Sequence, residues 1–143
     1  MSLNIKRVMS FVKKELDREW SKIGFEYLVE EREALAAANI SLSGMDDDIK
    51  IIISAYPGGG AVFRVIFDLI DETPAVLSLL NKFNSDSPFF NAFIGKEGYL
   101  ELRHFFICYE ENMFKSYPSE FMVRIAQLSE NEYIRELTRY THK

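Results

Sequence analysis

The sequence is poor in the residues that build disulfides and metal centres. Its 143 residues include one cysteine, Cys108, and two histidines. A single cysteine excludes an intramolecular disulfide framework and a multi-cysteine zinc site. The first twenty residues, "MSLNIKRVMSFVKKELDREW", contain charges that interrupt every apolar run, so they do not form the core of a signal peptide. We therefore expect a cytoplasmic protein.

Long apolar runs and excess positive charge are also absent. The longest apolar runs are a few residues long, whereas a membrane-spanning helix needs roughly 20. Seventeen basic and twenty-two acidic residues give a net charge of −5. This sign disfavours a general nucleic-acid binder, which needs basic side chains to offset phosphate charge. It disfavours an anionic membrane surface for the same reason. We expect neither partner.

Aromatic side chains are abundant. The chain has 12 phenylalanines and 7 tyrosines, and 48% of its residues are hydrophobic. This length and composition fit one globular domain with its own core, covering residues 1–143. No linker, repeat or low-complexity tract divides it.

The first half predicts one helix followed by strands. Apolar residues recur at spacings of three and four from Asn4 to about Lys22, with Asn4 as the N-cap and Gly24 as the stop. A strand is predicted over Phe25–Val29, and "EEREALAAAN" fits either a short helix or the approach to a strand. "NISLSG" and "IKIIISAYP" predict a hairpin, and Ala61–Ile70 predicts a further strand.

The second half predicts a helix, a hairpin and a final long helix. Thr73 and Pro74 mark a helix start, and Val76, Leu77, Leu80 and Phe83 form its apolar stripe. Strands follow over Phe89–Ile94 and Tyr99–Tyr109, joined by "GKEG". The last helix is predicted over Pro118–Tyr140, on the order of 34 Å long, enough to span a sheet.

This order predicts an α+β fold of two layers. It reads helix, three or four strands, helix, two strands, helix. Because the connections between strands are short, we expect a mainly antiparallel sheet.

The same order resembles the YbjN-like proteins and the type III secretion chaperone fold that they share. The resemblance rests on three segments: a helix ending in "LLNKFN" (Leu79–Asn84), the strand segment "KEGYLELR" (Lys96–Arg103), and a long helix after a proline. The resemblance implies a non-enzymatic, cytoplasmic bacterial protein, often dimeric, that binds other proteins. It assigns no binding residue.

Two features of the sequence invite catalytic interpretations. His104 and Cys108 lie four residues apart on one predicted strand, which separates them by roughly 13 Å. They cannot activate each other directly at that distance, so we interpret them as packed residues. Glu30, Glu31 and Glu33 have no partner histidine and no apolar enclosure, so we interpret them as a solvated turn.

Two turn sequences invite ligand-binding interpretations. Asp46, Asp47 and Asp48 are consecutive and diverge, unlike the spaced ligands of a calcium loop. Gly58, Gly59 and Gly60 precede a strand, whereas phosphate-binding loops precede a helix. We therefore predict no catalytic residue, cofactor or metal.

The strand from Tyr99 to Tyr109 has apolar residues on both faces. Leu100, Leu102, Phe106, His104 and Cys108 share one face. The other begins with Glu101 and Arg103 but continues as Phe105, Ile107 and Tyr109. A strand covered by helices on one face keeps the other polar. Either the last helix covers this surplus, or a second subunit or a partner protein does.

These observations favour a protein-binding or regulatory, chaperone-like domain. We expect a homodimer or a complex with another protein, through Phe89, Phe93, Phe105, Ile107 and Tyr109, centred on Phe105 and Ile107. The alternatives are a small-molecule binder or enzyme using the concave sheet face, with Tyr99, Glu101, Arg103 and His104, or a bacterial immunity protein.

Overall fold

The computed structural model describes residues 4–42, 45, 48–107 and 110–142. The strands are β1 (Glu26–Val29), β2 (Ala34–Ser41), β3 (Asp48–Ala55), β4 (Gly60–Leu69), β5 (Asn91–Ile94) and β6 (Tyr99–Ile107). The helices are α1 (Ile5–Trp20), α2 (Pro74–Asp86), α3 (Tyr117–Ala126) and α4 (Glu132–Arg139), with 3₁₀ turns at Ser21–Ile23, Glu111–Lys115 and Gln127–Glu130.

The six strands form one open sheet. Their order is β1-β2-β3-β4-β6-β5, and every neighbouring pair is antiparallel. With helices against this sheet, the predicted two-layer α+β class is confirmed. The stretch "EEREALAAAN" is resolved as a turn followed by β2, so the short-helix alternative is wrong.

The core lies between the sheet and the helices. We call this side of the sheet the inner face. It carries Ala36, Ile51, Phe63 and Leu102, each at most 1% exposed. The ring of Phe63 lies 4.8 Å from that of Phe121 on α3, and the buried side of α1 contacts β1, β2 and β3. Period-two alternation in the strands therefore sets which residues enter the core.

The start and end of α1 agree with the sequence. The side chain of Asn4 accepts a hydrogen bond from the backbone N–H of Arg7 at 3.2 Å, which satisfies one free donor of the first turn. Gly24 has a φ of 77°, the left-handed conformation that glycine adopts without strain. The predicted end at Lys22 falls in the 3₁₀ turn that continues the helix.

Helix α2 begins as predicted but its apolar stripe differs by one residue. Thr73 accepts from the N–H of Val76, and Pro74 is the first helical residue. Val76, Leu80 and Phe83 are buried, whereas Leu77 is 41% exposed. Including Leu77 in the stripe was wrong, because the helix packs a narrow face against α4 and the edge strand β5.

The single long C-terminal helix is also wrong. Asn131 has extended backbone angles and its side chain accepts from the N–H groups of Tyr133 and Ile134, so it caps a new helix, α4. The apolar side continues across this break: Phe121, Met122, Ile125, Leu128 and Leu137 are buried, with Tyr133 half-buried. The hydrophobic pattern therefore predicts burial correctly while missing the cap.

Strand boundaries differ from the predictions by one or two residues. Strand β5 begins at Asn91 rather than Phe89, and β4 begins at Gly60. The predicted end of β6, Tyr109, lies outside the described residues. Across those same ranges, none of the helices has both the length and the apolar character needed to cross a bilayer.

Candidate functional site: the outer face of the sheet

The side of the sheet turned away from the helices is the candidate site, and we call it the outer face. Alternation along β6 directs Leu100 and Leu102 into the core and Arg103, Phe105 and Ile107 outward. Phe105 and Ile107 are among the most exposed large apolar side chains, at 60% and 54%. Within the part of the chain that the structure describes, no helix covers this half of β6.

Residues from neighbouring strands extend this exposed surface. Val62 pairs with Phe105 and Gly60 with Ile107 across β4 and β6. A side chain at Gly60 would begin 3.4 Å from the ring of Phe105, so glycine leaves room for that ring. We call the following set the apolar end of the outer face: Leu35, Ile52, Val62, Phe105 and Ile107.

The other half of the outer face is polar and concave. A cavity of about 720 Å³ lies there, within the size range of small-molecule sites. We call this half the polar end. Its charged lining residues are Asp48, Lys50, Arg64, Asp68, Lys96, Glu97, Glu101 and Arg103.

A buried carboxylate organises this cavity. Glu101 is only 4% exposed. Arg64 donates from Nη2 to its Oε1 at 2.7 Å, and Arg103 donates from Nε and Nη2 to its Oε2 at 3.0 and 2.7 Å. A buried charge is tolerated when it is paired and hydrogen-bonded in this way. The group of three charges carries one net positive charge.

The surroundings of the two arginines differ. The guanidinium of Arg103 lies 4.9 Å from the ring centre of Phe93, a cation–π contact. The Nε of Arg64 is buried and has no hydrogen-bond partner among the described residues. Arg103 therefore has a second contact besides Glu101, whereas one donor of Arg64 is left without a partner in the described part of the chain.

The structure divides the five predicted interaction residues between surfaces. Phe105 and Ile107 lie in the apolar end, and Phe93 lies under Arg103 in the polar end. Phe89 lies elsewhere: its ring stacks on His104 at 4.0 Å and is covered by Arg124 of α3. Tyr109 is outside the described ranges.

His104 belongs to the inner face. Its Nδ1 lies 2.7 Å from the carbonyl oxygen of Phe89, and its ring is half-buried among aromatic neighbours. Of the four residues predicted for a small-molecule site, Tyr99, Glu101 and Arg103 line the cavity, whereas His104 does not. Cys108 lies outside the described residues.

The turn sequences have structural roles. Asp48 accepts a hydrogen bond from Ser41 across β2 and β3, while Asp46 and Asp47 are not described. Gly58 and Gly59 lie in the β3–β4 turn, where Gly59 has a φ of 95°, and Gly60 begins β4. Glu33 accepts a hydrogen bond from the Tyr56 hydroxyl at 3.3 Å. Where side chains are described, none of the His, Cys, Asp and Glu residues form a group of three able to hold a metal.

Sequence reasoning missed two parts of this site. It placed the exposed apolar surface on the last hairpin alone, whereas β2, β3 and β4 contribute Leu35, Ile52 and Val62. It also missed the contact of Arg64 with Glu101, which are 37 positions apart. The sequence predicts which residues of each strand point outward, but it does not predict the register that aligns the strands with one another.

Comparison with known proteins identifies no relative. No protein-family model, curated protein or solved structure matches this chain. The functional argument therefore rests on the geometry of the outer face.

Proposed function

We propose that this chain is a non-enzymatic, cytoplasmic protein-binding domain of a regulatory or chaperone-like kind. The observation that carries the proposal is the apolar end, where Phe105 is 60% and Ile107 is 54% exposed. Contiguous exposed apolar patches of this type mark interaction sites, and aromatic anchors often dominate the binding energy. The resemblance to YbjN-like proteins and secretion chaperones points to the same class.

The first test is self-association, because a homodimer is the simplest form of this function. Light scattering at tens of micromolar measures the mass of the wild type and of Phe105→Asp, and circular dichroism measures their folding. Phe105→Asp should stay folded, since its side chain is mostly exposed. If the wild type is a dimer through this face, the variant should be monomeric.

Val123→Asp is the matched control. Val123 is also apolar and 46% exposed, but it lies on α3 and away from the outer face. The same variants serve as baits for partner proteins. The proposal expects Val123→Asp to keep the associations of the wild type and Phe105→Asp to lose them. It is wrong if every association, with itself or with another protein, is indifferent to Phe105.

A second candidate function is small-molecule binding at the polar end. The cavity of about 720 Å³ favours it, with Tyr99, Glu101 and Arg103 in its lining. A ligand that binds only the folded state raises the melting temperature by mass action. A metabolite library should then contain compounds that raise it for the wild type and not for Arg103→Ala. A flat response across the library would remove this candidate.

A further inference from the structure

The cavity at the polar end carries charges of both signs in equal number. Among the described residues, four acidic and four basic side chains line it: Asp48, Asp68, Glu97, Glu101, Lys50, Lys96, Arg64 and Arg103. A ligand of one sign would therefore meet as much charge of its own sign as of the opposite sign. A ligand with one positive and one negative group can complement this wall.

Most of these charges are not neutralised by a neighbour. Glu101 is bonded to Arg64 and Arg103. The following side chains form no ion pair within the part of the chain that the structure describes: Lys50, Asp68, Lys96 and Glu97. Because a concave wall concentrates the field of its charges, unpaired groups of this kind attract a charged ligand more strongly than isolated surface charges do.

The basic side of the cavity contains two arginines. Arg64 and Arg103 lie directly opposite each other on β4 and β6, a like-charge pairing that lowers stability, and the one charge of Glu101 compensates only half of it. Glu101 accepts one hydrogen bond from Arg64 and two from Arg103. Each guanidinium carries further N–H groups, and its planar fork matches the geometry of a carboxylate. This side can therefore accept the anionic group of a ligand.

The acidic side of the cavity contains a carboxylate in an irregular part of β4. Asp68 lies between Ile66 and Leu69, where β4 holds one residue more than β6 and the register shifts. Such bulges redirect side chains and are common beside active sites. Asp48 accepts a hydrogen bond from Ser41, whereas Asp68 has no partner among the described residues. Asp68 can therefore accept the cationic group of a ligand.

The distance between the two sides sets the size of the ligand. Arg64 and Asp68 are four residues apart on β4, which places their Cα atoms about 13 Å from each other. The Nη2 of Arg64 reaches toward Glu101, one row nearer to Asp68, and each hydrogen bond to a ligand takes up about 3 Å. The anionic and cationic groups of a ligand that bridges them should be roughly 5–8 Å apart.

From these observations we propose that the polar end binds a small zwitterion, in which about three to five methylene groups join a carboxylate to an ammonium group. The carboxylate lies on Arg64 and Arg103, and the ammonium group lies on Asp68. A phosphate in place of the carboxylate would add negative charge that the balanced wall does not match. This inference rests on the second candidate function, small-molecule binding, and names the class of its ligand.

A length series of unbranched amino acids tests the spacing: glycine, γ-aminobutanoate, δ-aminopentanoate and ε-aminohexanoate. Pentanoate and pentylamine each lack one charged group of δ-aminopentanoate and are the matched controls. Nuclear magnetic resonance titration of the ¹⁵N-labelled protein measures each Kd at low salt, where exposed charges are screened least. We expect the best of the three longer amino acids to bind about tenfold more tightly than glycine, pentanoate or pentylamine, a difference of about 1.4 kcal/mol.

Three variants test the two sides of the cavity separately. Asp68→Asn should weaken the binding of δ-aminopentanoate about tenfold and should not weaken that of pentanoate, because only the contact to the ammonium group is lost. Glu72→Gln removes the same charge at an exposed position outside the cavity and should leave both unchanged. Arg103→Lys keeps the charge but loses the planar fork, so it should weaken both. Circular dichroism checks that each variant is folded.

The outcomes separate this inference from the function on which it rests. If pentanoate binds as tightly as the amino acids, or if chain length has no effect, the zwitterion is wrong and small-molecule binding at the polar end remains. If the series does not bind but a library compound stabilises the wild type and not Arg103→Ala, the ligand class is wrong and the candidate function remains. If neither binds, both fail. Phe105 does not line the cavity, so protein binding through the apolar end is decided independently.

Discussion

Glu101 is the residue that holds the polar end of the outer face together. Its buried carboxylate accepts from two arginines, so Glu101→Gln leaves Arg64 and Arg103 with reduced charge compensation. We expect the free energy of unfolding to fall by about 1.5–3 kcal/mol, the usual range for a hydrogen bond to a charged group. Urea denaturation measures this free energy of unfolding. Glu136→Gln, which breaks the exposed pair with Arg139, should change it by less than about 0.5 kcal/mol.

Tyr27 gives the molecule a pH dependence at high pH. Burial and the nearby charge of Asp17 raise the pKa of Tyr27 to about 12 from an ordinary value of 10.0. The folded state therefore binds this proton more tightly than the unfolded state. Its contribution to stability is present below pH 10 and is lost as the pH rises toward 12.

Tyr27→Phe should remove that loss. The Tyr27 hydroxyl is buried without a hydrogen-bond partner among the described residues, so its removal should not lower stability at pH 8. The free energy of unfolding of the variant minus that of the wild type should be larger at pH 11 than at pH 8. Urea denaturation at the two values checks this, with Tyr140→Phe, at an exposed tyrosine, as the control. An equal difference at both pH values would contradict the assignment.

At the scale of elements, one edge of the sheet is closed by a helix side chain. Asn84 near the end of α2 donates to the carbonyl oxygen of Ala92 at 3.0 Å and accepts from its N–H at 2.7 Å. At Ala92 the amide thus takes the place of a neighbouring strand, and it blocks an edge position that would otherwise be open to pairing. This accounts for the last asparagine of "LLNKFN".

Asn84→Ala should therefore both destabilise and expose this edge. We expect the free energy of unfolding to fall by about 1–3 kcal/mol, because two backbone groups lose their partner. Amide hydrogen exchange at Ala92 should accelerate more than at Leu102 in the sheet interior. Asn81→Ala, at an exposed position on the same helix, is the control and should leave both quantities nearly unchanged.

The elements also show what the sequence predicts well and where it fails. Local signals were sufficient for α1, with Asn4 and Gly24, and for the start of α2 at Thr73. They also predicted the two faces of β6. Asn131 carries a comparable cap signal, but the apolar spacing continues through it and favoured one long helix.

The site was harder to predict because it depends on strand register. Phe89 was assigned to the interaction surface as the first residue of a predicted strand with apolar groups on both faces, yet it precedes β5 and turns toward α3. The cavity joins residues from β3, β4 and β6, whose alignment is set by long-range pairing. Alternation within one strand does not contain that information.

At the scale of the whole molecule, the two layers share one core. Buried residues from all four helices and from β2 through β6 belong to a single cluster, in which the ring of Phe121 on α3 lies 4.8 Å from that of Phe63 on β4. A domain with one core of this size unfolds as a unit. The sheet should therefore not survive the loss of the helical layer.

Two probes can test this cooperativity in the same urea titration. Trp20, the only tryptophan, donates from Nε1 to Ser119 at 3.4 Å and so reports the contact of α1 with α3. Far-ultraviolet circular dichroism reports the sheet and helices together. We expect the two midpoints to coincide, and Phe105→Asp to preserve their coincidence because the outer face lies outside the core. If the fluorescence transition precedes the dichroism transition, the helices detach from an independently stable sheet and the one-core description is wrong.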